Sequence, residues 1–101
     1  MQKKVQSFNA FAFNYFSTLR LFTTAVSSAH GKDYPETLKV QTLFERIKTK
    51  TEEAGSKKPN LDTEFTQLRE VTHNYTLPKD ACMPHAKVYK LLAEADEAYQ
   101  T

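Results

Sequence analysis

The sequence predicts an all-α fold, an up-down bundle of four helices, and three observations predict it. Apolar residues recur at steps of three and four in four separate stretches. No stretch alternates apolar and polar residues with period two over the length of a strand. Breaks rich in Gly, Pro, Asn and Asp separate the stretches by connections of roughly 4–10 residues, short enough to lay neighbouring helices antiparallel. With 101 residues, 40% hydrophobic and 26% charged, the chain is sized for a single domain over 1–101.

The helices are expected at roughly 4–29, 35–54, 61–74 and 84–99. In the first, Val5, Phe8, Ala12, Tyr15, Leu19, Phe22 and Val26 make a seam of alternating three- and four-residue steps, and Phe11 and Phe16 widen it. Gly31 is placed to end this helix as a left-handed residue. Asp33 or Tyr34 opens the second helix, with Pro35 in its first turn and Glu36 near the positive end of its dipole. Leu38, Val40, Leu43, Phe44 and Ile47 form its apolar face. Asn60 or Asp62 caps the third helix, whose inner positions are Leu61, Phe65, Leu68, Thr72 and Tyr75. Pro84 starts the fourth, with Val88, Leu91, Leu92, Ala95 and Tyr99 inward.

Charge is distributed unevenly. The net charge is +2, yet the first acid is Asp33, so residues 1–32 carry +4 and the remainder −2. Six of the twelve aromatic residues lie in that acid-free third. Basic, acid-poor and amphipathic is also the character of a cleaved organellar leader. A secretory signal fits less well, because Asn9, Asn14, Ser17, Thr18 and Arg20 interrupt the run; a central Arg costs about 2.5–3.5 kcal/mol in a membrane. The sustained seam favours a packed first helix in a cytoplasmic protein, with the leader as the alternative and no membrane span expected.

Composition excludes several functions. One Cys rules out a disulfide framework, and Lys57-Lys58 is too short a basic run for nucleic acid. No phosphate-binding loop, nucleophile elbow or dinucleotide fingerprint occurs. His30, His73 and His85 share no helical spacing with each other or with a carboxylate in a His-x-x-Glu pattern, so each is expected at the surface or in a cap. Cys82 has no catalytic signature around it and is expected to be a structural thiol. Glu52 and Glu53, and Glu94, Asp96 and Glu97, are expected on solvated faces.

Two stretches carry a resemblance. His30-Gly31-Lys32-Asp33-Tyr34-Pro35-Glu36-Thr37-Leu38, followed by Val40 and Leu43-Phe44, is one; Leu68-Arg69-Glu70-Val71-Thr72-His73-Asn74-Tyr75-Thr76-Leu77-Pro78-Lys79-Asp80-Ala81-Cys82 is the other, with Tyr89 after it. Both resemble segments of the hemerythrin-like repair-of-iron-centres family, over residues 14–100 or so. The resemblance implies a hemerythrin-like four-helix bundle, and for the family a non-haem di-iron centre used in repairing iron–sulfur clusters under oxidative or nitrosative stress. Of the ligands it implies, His30 matches. The others fall near Asn9, Ala54 and Lys58, and the family's last His and Glu fall just past Thr101. A single His cannot hold two irons, so no cofactor is expected on this chain. The expectation is a degenerate bundle acting as a non-catalytic binding or interaction module, with a homodimer or protein partner docked on apolar helix faces. The alternative is a di-iron repair protein in which His30, His73 and His85 converge with carboxylates.

Overall fold

A computed structural model describes residues 7–101, so the seam position Val5 lies outside the described residues. The described chain is helical, with α1 over Phe8–His30, α2 over Glu36–Ala54, α3 over Asp62–Thr72 and α4 over Met83–Gln100, and no strand among the described residues. Helix α1 packs against α2 and α4, and α2 packs against α3. This arrangement is compatible with a four-helix bundle.

Local chemistry sets the ends of the helices. Ser7 caps α1, its Oγ accepting the Ala10 N–H at 3.1 Å. At the other end Gly31 is right-handed (φ −59°), not left-handed as expected; its N–H continues the helical pattern to the Ser27 carbonyl. Glycine is needed there for space, because an added Cβ would stand 2.6 Å from that same oxygen. Gly55, with φ +63° and ψ −119°, a combination side chains avoid, ends α2. At the start of α3 the Asn60 Oδ1 accepts the Asp62 N–H at 3.4 Å, from one residue before the cap position, and Asp62 makes no cap bond of its own. Leu61 holds the cap position, and the Asp62 side chain accepts from the Tyr99 hydroxyl at 2.8 Å.

Helix α3 stops at Thr72, two residues before the expected end, because His73, Asn74 and Tyr75 turn left-handed in succession (φ 51°, 59° and 61°). Each such residue costs about 1–2 kcal/mol without a glycine to absorb it. The turn is held by local bonds. Asn74 N–H donates to the Arg69 carbonyl at 2.8 Å, and Thr76 N–H to the Thr72 carbonyl at 3.0 Å. Tyr75 N–H donates to Thr72 Oγ1 at 2.8 Å.

The core follows the apolar spacing closely. Phe8, Phe11, Ala12, Phe16, Leu19 and Val26 of α1 are buried, as are Val40, Leu43, Phe44 and Ile47 of α2. Leu61, Phe65 and Leu68, and Val88, Leu91, Leu92, Ala95 and Tyr99, complete it. Two expected core positions point out. Tyr15 is 39% exposed, its ring lying on Phe11 with centroids 4.8 Å apart, and Leu38 is 50% exposed at the edge of a groove. Through the middle run five rings in contact. Phe44 meets Phe16 at 5.2 Å, Phe16 meets Phe8 at 5.8 Å, and Phe8 meets both Phe65 (6.1 Å) and Tyr99 (5.7 Å). All four of these contacts are edge-to-face, the arrangement that aligns a positive ring edge with a negative face. Together these rings touch all four helices.

Truncating Phe65, which is fully buried, to Ala is expected to lower unfolding free energy by about 3–5 kcal/mol. Truncating the exposed Phe13 should change it by less than about 0.5 kcal/mol. Urea titrations of the two variants check the contrast.

Candidate functional site

The sequence-predicted site residues separate to opposite ends of α1. Asn9 and His30 stand 21 positions apart on one helix, roughly 30 Å along its axis. Asn9 sits at the first end, donating from Nδ2 to the carbonyls of Ser56 and Lys57 at 3.0 and 3.2 Å. Those carbonyls belong to the loop between Ala54 and Lys58, so Asn9 meets that loop, and it lines one cavity with Lys58. Their roles there are structural. The Lys58 ammonium donates to the Tyr99 carbonyl and lies 4.6 Å from the centre of the Tyr99 ring. The Tyr99 hydroxyl accepts the Leu61 N–H at 2.8 Å and donates to Asp62.

His30 lies at the far end with the other two imidazoles. The chain passes from α1 to α2 there through Tyr34, whose ring stands between His30 (6.3 Å) and His85 (5.8 Å). His73 is exposed and serves as the left-handed cap of α3. His85 departs from expectation: it is 1% exposed rather than on the surface. Its ring packs edge-on against Tyr89 at 4.8 Å, and it lines a cavity of about 10 Å³ with Thr23, Val26, Thr37, Val40 and Val88. That space suits a single water at most. Neither His85 Nδ1 nor Nε2 has a hydrogen-bond partner. Burial holds its pKa below the ordinary value; Glu36 pulls the other way, and His30 adds to the lowering. Glu36 also raises Tyr89, which burial has already lifted, to about 12.

Asp96 is a second correction. It is 4% exposed, not solvated, because α4 turns it towards α3. The Arg69 guanidinium grips it with two parallel bonds of 2.8 Å, from Nε and Nη2. The Tyr75 hydroxyl donates to it at 2.8 Å, and the Gln100 amide at 3.1 Å. Burial alone would raise this carboxyl, but the bonds from Arg69, Tyr75 and Gln100 outweigh it and hold the pKa below the ordinary value. Tyr75 is raised by burial and by its bond to Asp96. Glu64, also buried, pairs with Lys50 at 2.8 Å and ties α3 to α2. Glu52, Glu53, Glu94 and Glu97 are exposed, as expected.

The described residues do not present a donor set that fits a di-iron centre. Among the described residues no three or more His, Cys, Asp or Glu side chains are grouped so as to hold a metal ion. The buried carboxylate with the most complete set of partners, Asp96, spends its oxygens on Arg69, Tyr75 and Gln100. Cys82 is half-buried at the cap of α4, makes no side-chain cap bond and has no disulfide partner. The sequence contained a signal for the two buried polar groups: His85 precedes Val88, Tyr89 and Leu92 at steps of three, four and seven, and Asp96 follows Leu92 by four. Both therefore lie on the inward face of α4.

One concave feature has a mainly apolar surface. A groove of about 420 Å³ runs between α2 and α3. Leu38, Leu43 and Val71 line it, with Lys39 and Arg46 on one rim and Glu70 on the other. No helix among the described residues is long and apolar enough to cross a membrane.

The two buried groups give opposite ends of the acid range separate readouts. His85 has a lowered folded pKa, so its contribution is present above about pH 6.5 and is lost as pH falls from there towards the folded value. His85→Leu should therefore flatten the fall in urea midpoint between about pH 7 and 5. Asp96 also has a lowered folded pKa. Its contribution is present above about pH 4 and lost as pH falls below it. Asp96→Ala should cost roughly 2–4 kcal/mol at pH 7, less than a fully buried pair because Arg69 is partly solvated, and should blunt the loss below about pH 4.

Comparison of the chain with family models, with curated proteins and with solved structures finds no match in any of the three.

Proposed function

We propose that this chain is a hemerythrin-like, up-down four-helix bundle without a di-iron centre, acting as a non-catalytic interaction module. Several features support the up-down arrangement. Sequence neighbours α1 and α2, and α2 and α3, pack together, α1 closes on α4, and Arg69–Asp96 joins α3 to α4. The two sequence stretches that resemble the family fall where a bundle needs them, at the α1–α2 connection and at the left-handed turn after α3.

The observation that carries the non-catalytic reading is the fate of the ligand positions. Asn9 and Lys58 tie the chain to itself at one end, and the one imidazole that matches the family is stranded at the other. Exposed apolar groups supply the means of interaction: the α2–α3 groove with Leu38, and Phe13 and Leu21 on the outer side of α1. Cytoplasmic placement belongs to the same proposal.

Metal analysis tests it. Protein purified without chelator, incubated anaerobically with ferrous iron and desalted, is expected to retain far less than one iron per chain. Near-stoichiometric retention with a new near-ultraviolet absorption band would overturn the proposal in favour of a di-iron repair protein.

A further inference from the structure

A cavity of about 450 Å³ opens where the start of α2, the turn after α3 and the middle of α4 come together. That is the size of a small-molecule site. Val71, Leu77 and Pro78 give it apolar walls, and Glu36 and Tyr89 bring polar groups to it. Glu36 is the one acid on its lining, and no Lys or Arg shares that lining.

These two polar groups lack partners. Glu36 is half-buried at the first position of α2. The N–H groups after it are already taken by the backbone, Thr37 donating to the Tyr34 carbonyl at 2.9 Å and Leu38 to the Pro35 carbonyl at 3.1 Å. No Lys or Arg among the described residues forms an ion pair with Glu36. Tyr89 is 4% exposed, and its hydroxyl has no hydrogen-bond partner among the described residues. A buried hydroxyl left unpaired is rare and marks a place where another group bonds. The field of the Glu36 carboxylate reaches that hydroxyl and raises its pKa. The walls are also held in advance. Tyr75 N–H bonds Thr72 Oγ1, the Thr76 hydroxyl donates to the His73 carbonyl at 2.7 Å, and His85 braces the Tyr89 ring edge-on. A site formed beforehand loses little to ordering when it binds.

The chemistry of the lining selects the ligand. An anion would meet Glu36. A divalent metal ion asks for six or more oxygens, and the cavity has one carboxylate. A quaternary ammonium is held by a cage of aromatic faces, and Tyr89 is the one phenol ring here. A carboxylate beside an unpaired hydroxyl suits a cation that carries N–H donors, and the apolar walls suit a short alkyl stem behind it.

We propose that this cavity binds a primary alkylammonium group, its charge on Glu36, an N–H donated to the Tyr89 hydroxyl oxygen, and its stem against Val71, Leu77 and Pro78. The proposal goes beyond the interaction-module reading and stands apart from it. A lysine side chain and a free amine present the same group, and the test separates them.

The full chain is titrated with n-butylammonium at fixed ionic strength and followed by two-dimensional amide NMR, at about pH 7.5, where an alkylamine is still cationic. Saturating shifts are expected at the start of α2, in the turn after α3 and around Tyr89, with half-saturation at about 1–10 mM. Glu36→Gln should weaken binding at least about tenfold, and Tyr89→Phe about threefold, with circular dichroism showing each variant folded. Butyltrimethylammonium keeps the charge without the N–H groups and should bind at least about fivefold more weakly; butyrate should not bind. Tighter binding of acetyl-lysine methylamide than of diaminobutane assigns the site to a lysine side chain, and the reverse order assigns it to a free amine. Absence of saturation up to about 50 mM, shifts spread over the whole surface, or undiminished affinity in Glu36→Gln would each overturn the proposal.

Discussion

The run of five rings from Phe44 through Phe16 and Phe8 to Phe65 and Tyr99 is the constraint on which the rest of the molecule depends. Each helix contributes at least one ring, so no helix can shift without opening an edge-to-face contact elsewhere. Of the six aromatics in the acid-free first third, Phe8 and Phe16 enter this run and Phe11 is buried, while Phe13 and Tyr15 are exposed. Phe8 and Phe16 are the hub, and they fill the interior from α1 outward.

The polar ties are arranged around that hub rather than within it. Asp96 with Arg69, Tyr75 and Gln100 clamps α3 and the turn after it to α4. Lys50 with Glu64 joins α2 to α3. The Tyr99 hydroxyl, bridging Leu61 and Asp62, holds the start of α3 to the end of α4. Helix α3 is the shortest of the four, at 11 residues, and carries a partner in each of these ties. A short helix buries little apolar area, so specific bonds take a larger share of keeping it in place.

Much of this was legible in the sequence. The four helices, their order and nearly all of their inward residues follow from three-and-four spacing and from Gly and Pro breaks. What the sequence concealed falls into two kinds. Helix ends are hidden where local side-chain and backbone detail decides them, as with the left-handed run after Thr72, while the expected start of the first helix near residue 4 lies outside the described residues. Burial of His85 and Asp96 runs against residue type and follows position: both lie on the periodic face of α4, but a buried carboxylate needs a partner, and Arg69 is 27 residues away in the chain. The site expectations fared differently. Asn9 and the Ala54–Lys58 segment do meet, while His30 lies a helix length away, a separation that local spacing does not encode.

The left-handed turn at His73–Tyr75 has a consequence for how this chain can change. Exposed loops usually vary freely, since little packs against them. Here the backbone, not the core, dictates what is allowed. Glycine or asparagine would fit at these positions with little cost, whereas Val, Ile or Thr would crowd their own main chain. Tyr75 is bound further by its hydroxyl, which must reach Asp96. A stretch that looks like ordinary surface is therefore among the least substitutable parts of the molecule.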